Sequence, residues 1–424
     1  VENSSDGDIR LNETAAGGAV EVLNFKQQGS GRSAIVSTEN GTLRVSSAVE
    51  IAGAGQVQLT ADGAASDLVV EENISVLGAG EVNLNAGQDA DLQADISSAG
   101  GLVAVETGRD ILMSDGTAFD SSGGGTGSAE LTAGRNVELS QVNADAEVEI
   151  TATGGAISDE LSGETANIGG DTPTAILSAS AGIGAAGEAD IDTSIAGLSA
   201  ANSTSGGIFI EEDSGLAVTG DGLQNSVASG MVLSTEDGDL VLSGASVNAS
   251  GGGNVLLKSS GALRADANAE VTSSGGHISL LAASDMEFGT AADVANSGTG
   301  SIDLYAENGS LTLSSSSDLT SIDGDVRLQA AENITLGGAI TTDDGVVSIV
   351  SEQGWIRDGD TNVGLDILAP ALQMRADTGI GQLGADAWAI DTRVNTVSAV
   401  SGSGGINLLE GDDLAVDDVR EVTV

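Results

Sequence analysis

The sequence predicts an all-β fold, an elongated parallel β-helix (β-solenoid) in place of a compact globular core. Three observations support this prediction: a short motif recurs with fixed internal spacing, apolar and polar residues alternate along the chain, and aromatic residues make up only 2% of the composition. A repeating unit that is too small to enclose its own core has to stack on its neighbours. A narrow interior lined by aliphatic side chains suits such a stack.

The short motif places an aspartate or asparagine five residues after an apolar residue and directly before a second apolar stretch. We interpret each copy as one strand, a tight turn and the next strand. The aspartate or asparagine is then a corner residue that bonds its own backbone, and copies stacked in register would add hydrogen bonds between layers. The copies run from Leu84 to Asp89, Val105 to Asp110, Leu131 to Asn136, Leu280 to Asp285, Leu313 to Asp318 and Leu328 to Asn333.

Segments in which apolar and polar residues alternate predict strands with one buried and one solvated side. Examples are Gln56–Thr60, Leu102–Val105 and Ser301–Tyr305, with Gly, Asn, Asp and Ser between such segments. No window has the apolar stripe of an amphipathic helix, so we expect almost no helix. A string of β-sandwich domains is the competing architecture, since short strands with frequent turns also describe sandwiches. The fixed offsets and the scarcity of aromatic residues favour the solenoid.

A second repeat is much longer. Gly182-Ile183-Gly184 returns as Gly379-Ile380-Gly381, and Ile191-Asp192-Thr193 returns as Ile390-Asp391-Thr392, with offsets of 197 to 199 residues across all the matches. Such self-similarity indicates two copies of one module. We predict two β-helix modules, residues 1–209 and 210–424, that form a continuous solenoid.

Neither end of the sequence resembles a solenoid cap. Residues 420–424 alternate like a strand, and the sequence opens on Val1. An uncapped coil leaves a row of unpaired strand groups, so we expect the coil to continue at both ends. It would do so within a longer chain, or through head-to-tail self-association of subunits into an open filament.

The composition excludes several classes of function. The net charge is −51, from 64 acidic and 13 basic residues, which repels nucleic acid and anionic membranes and attracts divalent cations. The sequence contains no cysteine, so neither disulfides nor thiol chemistry hold the fold together. It has no apolar run of transmembrane length, and we expect no membrane insertion.

The pattern Leu-x-Ala-Gly-x-Asn-Val-x-Leu at Leu131–Leu139 resembles the repeats of filamentous-haemagglutinin-type exoproteins. These are large surface or secreted proteins of Gram-negative bacteria, often exported by two-partner secretion, and the longer module is similar to repeats of giant haemagglutinin-like proteins of aquatic bacteria. The resemblance implies a right-handed parallel β-helix, an extracellular or cell-surface location and adhesive or structural work. The family's N-terminal secretion domain has no counterpart in this sequence, which leaves the export route open.

The sharpest candidate site is an acidic stretch in the second module. Asp358, Asp360, Asn362 and Asp366 place oxygen ligands as the first half of a calcium loop does, and hard cations need several converging oxygens. Val363 stands where such a loop has glycine, and Ala369 stands where it has the closing glutamate. We therefore predict Ca²⁺ binding at these four residues, with a solvated acidic loop as the alternative.

The remaining candidates have simpler explanations. Paired carboxylates such as Asp237 and Asp239 are the groups that hydrolyse glycosidic bonds, but chance pairs are common in so acidic a chain. His277 is the only histidine and has no recognisable serine triad or zinc partners, so we interpret it as a surface strand residue. Trp355 and Trp388 could stack on sugars, although packing of a loop against the coil explains them more simply.

We predict a non-enzymatic, extracellular structural or adhesive rod that acts as a stalk, spacer or filament subunit of a secreted bacterial surface protein. Its expected partners are further copies or segments of the same coil, divalent cations, and a surface polysaccharide or a host surface. The alternative is a β-helix protein that binds or degrades polysaccharide. A deep groove with converging acids and a basic residue would favour that alternative.

Overall fold

The computed structural model describes residues 1–4, 7–15, 17–163, 165–171, 173–360, 364–384 and 386–423. The chain divides into two compact units, Val1–Asp213 (unit 1) and Ser214–Val424 (unit 2). Each unit is a coil of parallel β-strands. One turn of the coil contributes three strands, and each strand pairs with its counterpart one turn later.

The three strands of a turn form three faces of the coil, which we call the long, short and third faces. Unit 1 shows the order clearly: Val82–Ala86 on the long face is followed by Ala90–Leu92 on the short face and Ile96–Ser98 on the third face. The next turn starts at Val103 on the long face. The motif around Leu84 and Asp89 therefore spans a strand, a tight turn and a second strand, as the sequence predicts.

In unit 1 the long face consists of Ile9–Glu13, Ala34–Thr38, Val57–Ala61, Val82–Ala86, Val103–Thr107, Ala129–Ala133, Glu147–Ala152, Thr174–Ala179 and Gly197–Asn202. The short face consists of Val20–Val22, Leu43–Val45, Leu68–Val70, Ala90–Leu92, Ile111–Met113, Val137–Leu139 and Ile157–Asp159. The third face consists of Glu2–Asn3, Phe25–Gln27, Val49–Ile51, Ile74–Val76, Ile96–Ser98, Ala118–Asp120, Gln141–Asn143, Ile168–Gly169 and Ile191–Thr193. The strand Ile208–Glu212 continues both the short face and the third face.

In unit 2 the long face consists of Met231–Thr235, Val255–Ser259, Ile278–Ala282, Ile302–Ala306, Val326–Ala330, Val346–Ser351 and Ala415–Val416. The short face consists of Leu240–Leu242, Leu263–Ala265, Met286–Phe288, Leu311–Leu313, Ile334–Leu336, Trp355–Asp358, Gly379–Ile380 and Gly405–Ile406. The third face consists of Ser246–Ala249, Glu270–Ser273, Asp293–Asn296, Leu319–Ser321, Ile340–Thr342 and Leu408–Glu410. Three longer strands bend through a corner and serve two faces: Leu216–Asn225, Ile367–Ala376 and Ile390–Ser401.

The pairings described within each unit are all parallel and in register, which excludes the β-sandwich alternative. Leu257, Leu280, Leu304 and Leu328 lie directly above one another in successive turns of unit 2. Alternate residues of each strand point inward and form such apolar rows, because side chains alternate between the two sides of a strand. The core is the set of these rows, and the fold class predicted from the sequence is confirmed as a parallel β-solenoid.

The residues that the short motif predicts to be inside are buried. They are between 0 and 1% exposed, namely Ile111, Val137, Leu139, Met286, Phe288, Ile334 and Leu336. Among the described residues the chain forms no α-helix. The one helical element there is the three-residue 3₁₀ turn Asp386–Trp388. The prediction that residues 420–424 form a strand is wrong for the described part, since Arg420–Thr423 are not in a strand and Arg420 instead donates to Asp325, 95 residues earlier.

The corners of the coil are held by side chains that accept main-chain hydrogen bonds from the next turn. Asp89 accepts the Asp110 N–H at 3.2 Å, Asp110 accepts the Asn136 N–H at 3.0 Å, and Asn136 accepts the Ala156 N–H at 3.1 Å. The other three motif copies do the same, with Asp285, Asp318 and Asn333 as acceptors. The prediction that these residues bond their own backbone is therefore wrong, whereas the ladder between layers is present.

Candidate cation site

The site lies in unit 2 at the corner between the short and third faces. An apolar row of the short face runs through Phe288, Leu313 and Leu336, and its next member in register is Asp358. Because register fixes which side of the strand a residue faces, the Asp358 side chain occupies a position that leucine and phenylalanine fill in the preceding turns. A carboxylate therefore closes an apolar row.

Asp366 begins the third-face strand on the far side of this corner. It is 5% exposed and sits in the corner ladder, where its Oδ2 accepts the Asp391 N–H at 2.8 Å. Its main chain is held on both sides, since its carbonyl accepts the Ile340 N–H at 2.8 Å and its N–H donates to the Asp391 carbonyl at 2.9 Å. The strand register fixes the position of Asp366 over three successive turns.

Asp391 is the residue one turn beyond Asp366 in the same ladder column, because the residues that follow them, Ile367 and Thr392, are register partners. Asp391 is 6% exposed. Its N–H donates to Asp366, but among the described residues no hydrogen bond or ion pair reaches its own carboxylate. Sequence reasoning missed this residue, although it belongs to the repeated Ile-Asp-Thr triplet that marks both modules.

Asp358 and Asp360 complete the cluster. The Asp360 N–H donates to Asp358 Oδ1 at 2.8 Å, which turns the chain sharply after the short strand. Asp358 Oδ2 is buried and has no hydrogen-bond partner among the described residues. No lysine or arginine in the described part of the chain forms an ion pair with the carboxylates of Asp358, Asp366 and Asp391.

The electrostatics show that the negative charges are not compensated. The pKa of Asp366 is raised to about 7, mainly by burial and then by the charges of Asp358, Asp391 and Asp360, which together outweigh the hydrogen bond from the Asp391 N–H. Burial is also the main cause that raises the pKa of Asp358 and of Asp391, and Asp360 adds to both. Folding therefore forces like charges together in a site of low dielectric.

The equivalent corner of unit 1 has the same strands on either side, but two of the four acidic positions differ, since Leu161 stands for Asp360 and Asn167 for Asp366. Asp159 takes the place of Asp358 at the end of a short strand, in register with Leu139. Asn167 takes the place of Asp366, and its Oδ1 accepts the Asp192 N–H at 3.0 Å. The Asn167 Nδ2 then donates to Asp159 Oδ1 at 2.6 Å and to the Ser140 carbonyl at 3.2 Å, so this corner satisfies its own carboxylate.

The structure thus brings together three of the four residues predicted to bind calcium, Asp358, Asp360 and Asp366, and adds Asp391. Asn362 lies outside the described residues. Within the part of the chain that the structure describes, no group of three or more His, Cys, Asp and Glu side chains could hold a metal ion.

The other acidic candidates take part in ordinary structural contacts. Asp239 bonds Arg264 at 2.7 Å, and Glu410 accepts the Thr392 hydroxyl at 2.9 Å, as Glu212 accepts the Thr193 hydroxyl at 2.8 Å in unit 1. A surface hollow of about 640 Å³ is lined by three carboxylates and a guanidinium, including those of Asp325 and Arg420. Both Asp325 oxygens are occupied, one by the Val346 N–H at 2.8 Å and one by Arg420 at 2.5 Å.

His277 lines the same hollow as a member of a corner ladder. Its N–H donates to Asn254 Oδ1 at 2.9 Å, and its Nδ1 accepts the Ser301 N–H at 3.0 Å. The imidazole therefore takes the place that aspartate or asparagine has elsewhere. Trp355 is half-buried on the outer side of its strand, where its ring lies against Gly379. The guanidinium carbon of Arg357 is 4.9 Å from the ring centre, and Trp388 is 45% exposed.

No family model, curated protein or solved structure matches this chain. Within the described residues, no helix has the length and apolar character that crossing a membrane requires.

Proposed function

We infer that this chain is a non-enzymatic structural protein whose stacked coils act as stiff spacers in an extracellular or cell-surface bacterial protein. One observation supports this proposal most strongly: in each unit the strands of all three faces pair in parallel register from turn to turn. Main-chain hydrogen bonds then run along the stack, and each turn adds about 4.8 Å. Bending or stretching such a stack strains many hydrogen bonds at once.

The interior supports the same role. The inward rows consist mainly of Val, Leu, Ile and Ala, and most members are between 0 and 2% exposed. Rows of this kind fill the inside of the coil with packed aliphatic side chains. Function then depends on the outer surface and on the mechanical properties of the stack, and the acidic surface keeps neighbouring molecules apart.

Single-molecule pulling of the full chain from its two ends tests the spacer role. We expect a series of force peaks with contour steps of about 80 Å, because one turn of 24 residues, such as Leu280 to Leu304, extends to about 3.4 Å per residue. Extension of the folded chain without a force peak would contradict a load-bearing role.

The extracellular location is tested on intact cells of the source organism. Protease added outside the cells should degrade the protein if it is displayed, while a cytosolic marker remains intact. Protection of the protein until the cells are lysed would contradict surface display. The expected self-association is tested by measuring the mass of the purified chain in solution as its concentration rises.

Polysaccharide degradation is the alternative, and the hollow beside Asp325 and Arg420 is the place to test it. Incubation with acidic and neutral polysaccharides should release no reducing ends. Release that is lost in Asp323→Asn or Asp344→Asn, two other acids that line the hollow, would replace the structural proposal with an enzymatic one.

A further inference from the structure

We propose that the outer surface of unit 2 beside Asp325 is a docking site for residues 417–423 of a second copy of this chain. In this structure the site is occupied by residues 417–423 of the same chain, which we call the strap. The proposal rests on the self-association expected of the spacer and deepens it, because it names the surface and the segment through which two copies associate.

The strap leaves the coil and lies on its outer side. The Asp417 N–H donates to the Val397 carbonyl at 3.2 Å, and residues 417–423 belong to no strand. Arg420 then reaches Asp325 at 2.5 Å. Asp325 directly precedes Val326, which the strand register places three turns before Val397. The strap therefore crosses the outside of three successive turns.

Two contacts hold the strap on this surface. Val422 is 3% exposed although it lies outside the strands of the coil, and Arg420 forms an ion pair with Asp325. Residues of the strap and of the coil line one hollow of about 640 Å³, with Arg420, Val422 and Thr423 on one side and Thr299, Ser301, Asp323, Asp325 and Asp344 on the other. The surface therefore fits an extended segment that carries an arginine and, two residues later, a valine.

The strap differs from the corresponding stretch of the other repeat copy. Leu-Ala-Val precedes the strap at residues 414–416 and also begins the strand Leu216–Asn225. In that strand Leu223 points inward and is 1% exposed. The residue 198 positions later is Glu421, which is exposed, while Val422 is buried instead. A glutamate in an apolar row would be costly, so the sequence of the strap suits the outer surface of a coil.

A second copy is the occupant that the charges favour. Two chains of net charge −51 repel each other, so they associate where a basic residue of one meets acidic residues of the other. Arg420 and the three carboxylates of the hollow are such a match. Every residue of the connection 411–418 is exposed, which leaves the strap free to reach another molecule. Exchange of an identical segment costs little, because the same contacts form again.

The first experiment measures the docking site with a labelled synthetic peptide of residues 417–423. Fluorescence anisotropy gives its affinity for the full chain in about 0.15 M NaCl, where weak surface attraction is screened. Arg420→Glu and Val422→Asp release the chain's own strap, and the matched control Val416→Asp changes a residue that precedes the strap and is 83% exposed. We expect at least tenfold tighter peptide binding by both release variants than by the parent chain or the control.

Adding Asp325→Asn to Val422→Asp should weaken peptide binding again by at least tenfold. The corner itself should remain intact, because Asn136 and Asn333 accept the same kind of main-chain hydrogen bond elsewhere in the coil. This variant separates the loss of the carboxylate from a loss of fold.

The second experiment tests exchange between copies and uses the absence of cysteine from the chain. An acceptor with Thr299→Cys and Val422→Asp is mixed with a donor with Thr423→Cys, since both positions line the hollow. Oxidation should link donor to acceptor at least fivefold more than it links a control donor with Asn40→Cys, an exposed position in unit 1. The excess should disappear when the acceptor also carries Asp325→Asn.

Equal or absent peptide binding in the parent, release and control proteins would overturn the docking site. Peptide binding by the release variants without excess donor–acceptor linkage would overturn the second copy as its occupant. If the mass of the chain still rises with concentration in that case, copies associate through another surface, and the proposed self-association stands while this proposal fails. The force peaks of a single pulled chain depend on neither result.

Discussion

At the scale of single residues, the fold depends on acidic and amide side chains that bond main-chain groups of the next turn. Asp110 shows the arrangement most fully: it is 4% exposed, and it accepts the Asn136 N–H and both Nε and Nη2 of Arg135, the Nε at 2.8 Å. Hydrogen bonds from Arg135 lower the pKa of Asp110 below its ordinary value, which outweighs the opposing effect of burial. The acidic residues of this chain therefore supply its surface charge, and some of them also hold successive turns together by hydrogen bonds.

The first prediction concerns Asp110 and pH. A carboxyl whose pKa is lower in the folded state stabilises the protein above its ordinary pKa, and this stability is lost as the pH falls through the lowered value. Asp110→Asn should reduce the free energy of unfolding by about 1–3 kcal/mol at pH 7, since a buried charged hydrogen bond is removed. Urea unfolding at pH 7 and near pH 3 measures the difference from the parent chain, which should shrink in acid. An equal difference at both values would contradict the assignment.

The second prediction reverses the natural difference between the two modules. Asn167→Asp should destabilise the protein in EDTA by about 1–3 kcal/mol, because the donor to Asp159 is lost and two carboxylates face each other. Urea unfolding at neutral pH is the measurement. The matched control is Asn40→Asp, an exposed position with the same change of charge, and a similar loss there would show that net charge alone is responsible.

At the scale of the element, no strand of three residues is stable by itself, and stability comes from stacking the turns. Corner geometry matters as much as the strands. Gly184 and Gly381, the last residues of the two Gly-Ile-Gly copies, have φ of 61° and 62°, and a Cβ there would lie 2.5 and 2.3 Å from main-chain oxygens of the next turn. The repeated triplet therefore combines a buried isoleucine with a corner that only glycine fits.

The third prediction tests the apolar rows. Leu280 is fully buried between Leu257 and Leu304 of the adjacent turns. Leu280→Ala should lower the free energy of unfolding by about 2–5 kcal/mol through lost burial and the cavity left behind. Ser279→Ala, one residue away on the outer side of the same strand, should change it little. Urea unfolding of both variants is the check, and equal effects would mean that the strand faces the other way.

At the scale of the whole molecule, the balance of charge dominates. Sixty-four acidic residues against thirteen basic ones give a self-repulsion that opposes folding, because the folded state holds the charges closer together than the unfolded state does. Salt screens this repulsion over a Debye length of about 10 Å at 0.1 M. Stability should then depend strongly on ionic strength, apart from any specific cation site.

The fourth prediction follows from this balance. The temperature of unfolding should rise with NaCl in the absence of divalent cations, most steeply at low ionic strength. Asp366→Asn should show nearly the same dependence, since it changes one charge among many. Scanning calorimetry across a salt series is the measurement, and a flat or falling dependence would show that repulsion does not limit stability.

The sequence by itself determined the fold class, the inward rows and the corner positions of this protein. Those features follow from local periodicity: the spacing from Leu84 to Asp89 specifies a strand, a turn and the side of the strand that each residue faces. It also drew attention to Asp358 and Asp366, because oxygen ligands at short spacing are visible in one stretch of chain.

The tertiary structure alone decided which residues meet across turns. Asp391 joins Asp366 because the register of the third face stacks them, and the turns differ in length, so local sequence does not fix that register. The burial that raises the pKa of Asp366 to about 7 arises from the same stacking. Likewise, the contact of Arg420 with Asp325 depends on how the segment after the last strand folds back, which alternation in the sequence does not encode. Local periodicity determines a turn, whereas the charge environment of a corner depends on its neighbours in space.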